Sequence, residues 1–501
     1  MKKQILLIAC LASAGHFTIA QKSNFVSISQ DEPEESIIQK AANIVPTSRQ
    51  LRWQQLELTA FFHFGVNTFT GREWGDGKED PAIFNPAKLN AEQWIKTVKD
   101  AGFRQIIITA KHHDGFCLWP TKTTDHSVKS SRWKNGNGDV VKEVADACKK
   151  LNIGFGVYLS PWDRNAATYG SDVYNDFFEQ QLTELLTWYG KVDEVWFDGA
   201  NGEGPNGKKQ VYDFDRWYTL IRKLQPQAVI AIMGPDVRWV GTETGKGRAM
   251  EWSVVPANNL DQGSIAAGSQ KDLTFKPQGD MRGSDLGSRE KIIHAKGLVW
   301  YPAETDVSIR PGWFYHADQD SKVKTPKTLN DIYYTSVGMN SVLLLNIPPD
   351  KDGLINAADV KNLQDWAAMR KQIFGTNLLT GAAITCSNGT GTKNITDGRY
   401  NTWFTTRERD TTTTVLFTLK KPATFNVLSL QENISVGQRV EKFSAWYENA
   451  GSWEKFTEGT TIGYKRLLKF APVTAQKIKI EIESSRLNPT LAEAGLFYDG
   501  N

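Results

Sequence analysis

Between Leu58 and Asn346 short apolar runs alternate with longer amphipathic stretches, and this alternation restricts the chain to folds built on a parallel sheet. Leu58–Gly65 reads as a first strand, Gln105–Ala110 as a second, Gly154–Ser160 as a third and Val192–Phe197 as a fourth. Helical stretches separate them. Trp94, Ile95 and Val98 share a face within Ala91–Ala101, and Asp139–Leu151 follows the second strand. Tyr174, Phe178, Leu182, Leu185 and Tyr189 make one apolar stripe that Gly190 stops. Tyr212–Leu224 is helical before the strand Ala228–Met233, and the helix Lys327–Gly338 precedes the strong run Val342–Asn346. Weaker strands are expected at Ala249–Val254 and Gly297–Pro302. About eight parallel strands argue for a TIM-like (β/α)8 barrel, irregular between Gly234 and Lys327 where helical signals are few. A doubly wound sheet is the alternative, and the lack of a Gly-rich phosphate fingerprint after the first strand counts against it.

The helix Ala357–Ile373 ends this region, and beyond it the chain is rich in Thr, Ser and Asn with short alternating runs such as Thr414–Thr418, Asn426–Leu430 and Lys477–Ile482. These predict an antiparallel β-sandwich. The N-terminus has the form of an export signal: Lys2 and Lys3 precede the apolar run Ile5–Ala14, and Thr18-Ile19-Ala20 offers small residues for cleavage. Leu7-Ile8-Ala9-Cys10 also has the form of a lipoprotein box, but it lies early in the apolar run, so cleavage near Ala20 is preferred and the mature chain is expected to be periplasmic or secreted. No other stretch is apolar and long enough to span a membrane. The organisation expected is a signal at residues 1–20, a polar lead at 21–45, a barrel at 46–375 and a sandwich at 376–501. Cys117, Cys148 and Cys386 are too few and too scattered for a disulfide framework and are expected as buried free thiols. With 59 Lys and Arg against 56 Asp and Glu, nothing points to nucleic acid. The 17 Trp offer broad apolar faces suited to sugar rings.

The polar residues that follow apolar runs collect on one side of the inferred barrel. His63, the His112-His113 pair, Tyr158 and Asp198 end strands, and Glu73 lies in Gly71-Arg72-Glu73-Trp74-Gly75. In a parallel barrel that end carries the chemistry. His63, His112, His113 and Asp114 would supply metal ligands, but adjacent residues in extended chain point apart, which disfavours His112 and His113 as joint ligands. A neutral sugar needs the other arrangement, donors and acceptors converging on hydroxyls beside an aromatic plane. Glycoside hydrolysis needs two carboxyl groups. Asp198 is one candidate. Glu243, in the glycine-bearing loop Gly234–Gly245 with Trp239, is a second, and Asp236, Glu251 and Glu304 are its rivals; Glu251, beside an expected strand, suits a structural ion pair.

Taken together, His63-Phe64-Gly65, Lys111-His112-His113-Asp114-Gly115-Phe116, Val157-Tyr158-Leu159-Ser160 and Val195-Trp196-Phe197-Asp198-Gly199 closely resemble family 29 α-L-fucosidases. Gly234–Glu243 and Trp300–Asp306 resemble the subfamily selective for α-1,3/1,4-fucosyl linkages, and the likeness covers about residues 51–346. It implies a retaining hydrolase acting on fucosylated glycans, with Asp198 as nucleophile and Glu243 as general acid/base. It also implies that His63, Glu73, Trp74, His112, His113, Tyr158 and Trp313 hold fucose, that the segment from Arg238 to Glu243 reads the aglycone, and that Phe64, Trp313 and Phe314 line a slot for the fucose methyl. The chain has Thr242 where the family pattern has Asn. No cofactor or catalytic metal is implied. The C-terminal part resembles discoidin-like and family 32 carbohydrate-binding sandwiches through Ile395-Thr396-Asp397-Gly398, Trp403-Phe404 and Lys477-Ile478-Lys479-Ile480. Such a domain binds sugar, carries a structural calcium or braces the barrel, with bracing the role expected first. Two alternatives stay open: a fucosidase of broad specificity, and a carbohydrate-binding protein whose chemistry has lapsed, against which the presence of both Asp198 and Glu243 argues.

Overall fold

The computed structural model describes residues 23–257 and 283–500; the expected signal segment and Cys10 lie outside them. An N-terminal strand β1 (Phe25–Ser27) and helices α1 (Glu34–Asn43) and α2 (Ser48–Gln54) come first. The region expected as a polar lead is therefore structured, and Ile37, Ile38 and Ala41 of α1 are buried.

The barrel follows as β2 (Leu58–Phe62), α3 (Val66–Thr70), α4 (Ala91–Asp100), β3 (Gln105–Lys111), α5 (Val140–Leu151) and β4 (Gly154–Leu159). It continues with α6 (Asp172–Trp188), β5 (Glu194–Phe197), α7 (Phe214–Leu224), β6 (Val229–Ile232) and β7 (Arg238–Trp239). Side-chain caps start its helices where the chain leaves a loop: Asn90, Asp139 and Asp213 accept the backbone N–H groups of Gln93, Lys142 and Arg216. After β8 (Val254–Pro256), α8 (Arg289–Ile292) and β9 (Gly297–Trp300) come β10 (Ala303–Ser308), α9 (Pro326–Thr335), β11 (Ser341–Asn346) and α10 (Ala357–Phe374).

Eight strands form one sheet in the order β6-β5-β4-β3-β2-β11-β10-β7. All of its pairings are parallel. The ring is nearly closed. At the seam between β6 and β7 the Gly234-Pro235-Asp236 turn replaces a ladder: Asp236 accepts the Ile230 N–H at 2.8 Å, and Arg49 and Arg222 neutralise its buried carboxylate. Two of the expected barrel strands are placed elsewhere. Val254–Pro256 and Gly297–Trp300 join β1 in a separate antiparallel sheet, and the barrel instead takes Arg238–Trp239 and Ala303–Ser308. The sequence hid the latter because Glu304, Thr305 and Asp306 break its apolar pattern, yet all six of its residues are buried.

The C-terminal region runs from β12 (Ala383–Thr385) through β13 (Gly389–Thr390), β14 (Phe404–Thr406) and the long β15 (Thr413–Gln431) to β16 (Val440–Asn449) and β17 (Ser452–Gly459). It ends with the long β18 (Arg466–Ser485), β19 (Thr490–Leu491) and β20 (Glu493–Phe497). These form two antiparallel sheets, as the expected β-sandwich requires, over a core that includes Phe404, Phe417, Phe443 and Ile480. Cys117 and Cys148 are buried free thiols, whereas Cys386 is only partly buried.

The sandwich is fastened to the barrel at Glu251. Its backbone N–H donates to Thr461 at 3.1 Å and its carbonyl accepts from Gln438 at 2.9 Å, while the Arg486 guanidinium lies 3.5 Å over the Trp252 ring. The Glu251 side chain, fully buried, pairs with Arg238 of β7 and with Arg248. Removing one partner of such a buried pair costs about 3–5 kcal/mol, because the other charge is left unpaired in a low dielectric.

Candidate active site

Asp198 follows β5 at the C-terminal end of the barrel. Its Oδ1 accepts the Ala200 N–H at 2.7 Å, its Oδ2 accepts the Tyr158 hydroxyl at 3.1 Å, and His113 Nε2 faces that same oxygen at 3.9 Å. The carboxylate lines a cavity of about 560 Å³ whose walls include Trp74, Trp162, Trp196, Trp239, Glu243 and Asp306. Gly202 is obligatory there, since a Cβ would come within 2.2 Å of the Trp162 ring.

Glu243 stands at the exposed rim of this cavity, on a loop held by two carbonyls of β10. Val240 N–H donates to Glu304 O at 2.9 Å and Gly245 N–H to Asp306 O at 3.2 Å. Gly241 and Gly245 turn the loop with φ of 105° and 74°. Trp313 Nε1 donates to Glu243 Oε2 at 3.3 Å. Partial burial raises the Glu243 pKa, the facing Asp198 charge adds to the rise, and the Trp313 hydrogen bond opposes it. Its rivals are occupied elsewhere. Asp236 closes the seam, Glu251 joins the sandwich to the barrel, and Glu304 lies fully buried with Oε1 accepting the Trp196 indole N–H at 2.7 Å.

The histidines converge beside Asp198. His63 Nδ1 meets Asn346 Oδ1 at 2.9 Å, and His113 Nδ1 meets Ser160 Oγ at 2.8 Å. His112 stacks on Tyr158 with ring centroids 5.9 Å apart, and its buried Nδ1 has no partner among the described residues. Burial lowers the pKa of all three, His63 to about 3, so each is a neutral imidazole with one donor and one acceptor nitrogen. The His112 and His113 rings lie side by side with centroids 4.1 Å apart, contrary to the divergence expected of extended chain, because β3 ends at Lys111 with an irregular register. Among the described residues, no group of three or more His, Cys, Asp or Glu is arranged to hold a metal. Asp114 caps its own turn, accepting the Phe116 N–H at 2.7 Å.

Glu73 draws the segment after β10 over the site. Its Oε2 accepts the Trp313 N–H at 2.8 Å, and its Oε1 meets His316 Nε2 at 2.7 Å. The Trp313 ring lies 5.1 Å from His63, and Phe314 packs edge-on against His63 and His112. Trp74 is 56% exposed and meets His113 and Trp162 edge-on. Two expectations are corrected. Phe64 points away from the site, into the layer formed by Phe69, Phe84 and Trp94. Arg238 does not line the cavity: its neighbour Trp239 does, so strand alternation turns Arg238 to the other face, where it is buried against Glu251 and the carbonyls of Tyr301 and Trp252. The cavity includes Trp239, expected beside Glu243, whereas the sequence reading missed the cavity residues Trp162 and Asp306 and the histidine partner Asn346; the last ends a recognised strand, and only that position marked it.

Comparison with known proteins agrees with this geometry. The alpha-L-fucosidase family model matches residues 35–371, and that of the F5/8 type C domain matches residues 380–493. Alpha-L-fucosidase 1 of Arabidopsis thaliana is 44% identical over 467 residues, covering 91% of this chain and 88% of the plant protein. The crystal structure of a Bacteroides ovatus relative has a TM-score of 0.85 at 52% identity, covering 96% of this chain and 78% of the other. A Ruminococcus gnavus family 29 fucosidase, solved in complex with fucose, has a TM-score of 0.79 at 33% identity and covers 91% of this chain and 95% of its own. The chain therefore belongs to the α-L-fucosidase family, glycoside hydrolase family 29, with an F5/8 type C domain following the catalytic barrel.

Proposed function

We propose that this fucosidase removes terminal α-1,3/1,4-linked L-fucose from branched, Lewis-type glycans by a retaining double displacement. The observation that carries the reading is a pair of carboxyls lining one cavity in unlike surroundings. Asp198 is held by hydrogen bonds at the barrel's open end, whereas Glu243 is partly desolvated at the rim with a raised pKa. Asp198 attacks the anomeric carbon as Glu243 gives its proton to the leaving oxygen; water, deprotonated by Glu243, then cleaves the fucosyl ester. Neutral imidazoles at His63, His112 and His113 suit uncharged hydroxyls better than they suit an anion. The segment Lys2–Ala20 would direct export.

Asp198→Ala is expected to lose several powers of ten in kcat on every substrate. Glu243→Ala should lose most on sugar leaving groups and least on an activated aryl fucoside, because that group departs without a proton. Azide then rescues Glu243→Ala with retained anomeric configuration, read by NMR of the product. Retained rescue in Glu304→Ala, with Glu243→Ala near normal, would name a different acid.

The first step needs Glu243 protonated, so kcat/KM falls as pH rises through its raised pKa. The alkaline limb should lie above the ordinary glutamate value of about 4.3. Trp313→Phe removes the N–H that favours the ionised carboxylate and is expected to move the limb to still higher pH. A move to lower pH in the kcat/KM profile would contradict the assignment.

If the site reads the aglycone as well as fucose, branched trisaccharides should exceed both an aryl fucoside and an α-1,2-linked fucosyl-galactose in kcat/KM by at least about tenfold. Equal rates on all three would indicate broad specificity.

No metal takes part in this reaction scheme; a structural calcium in the sandwich would be held at Asp397 and Glu493. Asp397 and Glu493 bring their carboxyls together, burial lifts Glu493 to about 7, and Glu493 Oε1 has no partner among the described residues. Chelation is expected to lower the unfolding midpoint, calcium to restore it, and fucose release at 25 °C to stay unchanged. Activity lost on chelation and restored only by zinc would return the histidines to metal binding.

A further inference from the structure

Two carboxyls suffice for double displacement, yet the catalytic cavity is lined by three. The third, Asp306, projects from β10, the strand whose carbonyls hold the Glu243 loop. The residue is 5% exposed, and its Oδ1 accepts the Trp239 indole N–H at 2.8 Å. Trp239 is its only side-chain donor among the described residues, and no cation pairs with it there. Holding one indole needs no more than an amide or a carbonyl, and a carboxyl buried without a cation is costly. Glu304, two residues earlier on the same strand, makes the same kind of bond to Trp196, but its second oxygen is buried away from the cavity with no partner among the described residues. Asp306 alone of the two faces the place where a glycan would lie.

We propose that Asp306 is a third substrate-contacting carboxyl of this site, donating its O–H to a sugar hydroxyl while Trp239 holds its other oxygen. Burial raises its pKa well above the usual carboxylate range, and the charges of Glu243 and Glu304 add to the rise; the Trp239 hydrogen bond opposes it. The group therefore enters the reaction as a neutral acid, able to donate and adding no repulsion to Asp198 and Glu243. The assignment rests on the fucosidase reading above. The hydroxyl belongs either to fucose or to the leaving sugar, and the chemistry of the contact is the same in both cases.

The test is a set of substrates each lacking one hydroxyl: monodeoxy aryl fucosides for the fucose ring, and fucosylated trisaccharides with a monodeoxy leaving sugar. Asp306→Leu is expected to lose about tenfold in kcat/KM on complete substrates. On one deoxy substrate that loss should vanish, since the partner hydroxyl is already gone, and the position of that substrate identifies the source. Asp306→Asn, which keeps both an acceptor for Trp239 and a donor for the cavity, should stay within about threefold of wild type. Should Leu unsettle the fold, as judged by the unfolding midpoint, the smaller Asp306→Ala serves in the same comparison. An equal loss on every substrate would make Asp306 a strut for Trp239, and no loss on any would remove it from the site; either overturns the proposal. Fucose release by the wild type on complete substrates tests the functional reading separately.

Discussion

Indole-to-carboxyl hydrogen bonds govern the inside of this barrel. Trp53 donates to Glu194 at 3.0 Å, Trp196 to Glu304 at 2.7 Å, Trp239 to Asp306 at 2.8 Å and Trp313 to Glu243 at 3.3 Å. Acids placed among apolar strands lose most of their hydration, and one neutral donor, or two for Glu194 with Gln105, does not replace it. Burial accordingly lifts Glu194 to about 8 and raises Glu304 and Asp306 further from their ordinary range. The interior is thus polar but largely uncharged below the cavity. Asp198, partly open to solvent, sits above this interior with its carboxylate bonded to Tyr158 and the Ala200 N–H.

The same logic extends to the histidines. In a cluster of three imidazoles and a tyrosine beside a carboxylate, a protonated imidazole would place a charge against an uncharged sugar. Burial keeps them neutral, and Asn346, Ser160 and Tyr158 set their orientations. The surface they present has hydrogen-bonding directions without net charge, as a ring of hydroxyls demands.

The sandwich meets the barrel at several points, among them Lys465 with Glu57, Tyr464 with Asn340 and Gln438 with Ser253, and a further one lies beside the Glu243 loop. Glu251 donates its backbone N–H to Thr461, accepts from Gln438 at its carbonyl, and pairs through its side chain with Arg238, the first residue of the short strand that leads into the Glu243 loop. The loop's other anchors are the β10 carbonyls and Thr335, whose hydroxyl donates to Gly245 O at 2.9 Å. The domain expected to brace the barrel is therefore fastened next to the segment that carries Glu243 to the cavity rim.

Local pattern was sufficient for much of this. Apolar runs and helical stripes marked the strands bearing His63, Tyr158 and Asp198, because their buried faces are filled by near-continuous apolar sequence. Motif likeness carried Glu243, which periodicity could not select from Asp236, Glu251 and Glu304. Only the tertiary structure supplies the surroundings of those acids, because each is set by a distant partner: Arg49 and Arg222 for Asp236, Arg238 for Glu251, Trp196 for Glu304 and Trp313 for Glu243. It also turned Arg238 away from the cavity, moved Val254–Pro256 and Gly297–Trp300 into their own sheet, and revealed β10 as the barrel strand carrying Asp306. A strand whose inward residues are acids bonded to remote indoles has no apolar alternation to read. Its place in the barrel depends on contacts across the fold, which no local window contains.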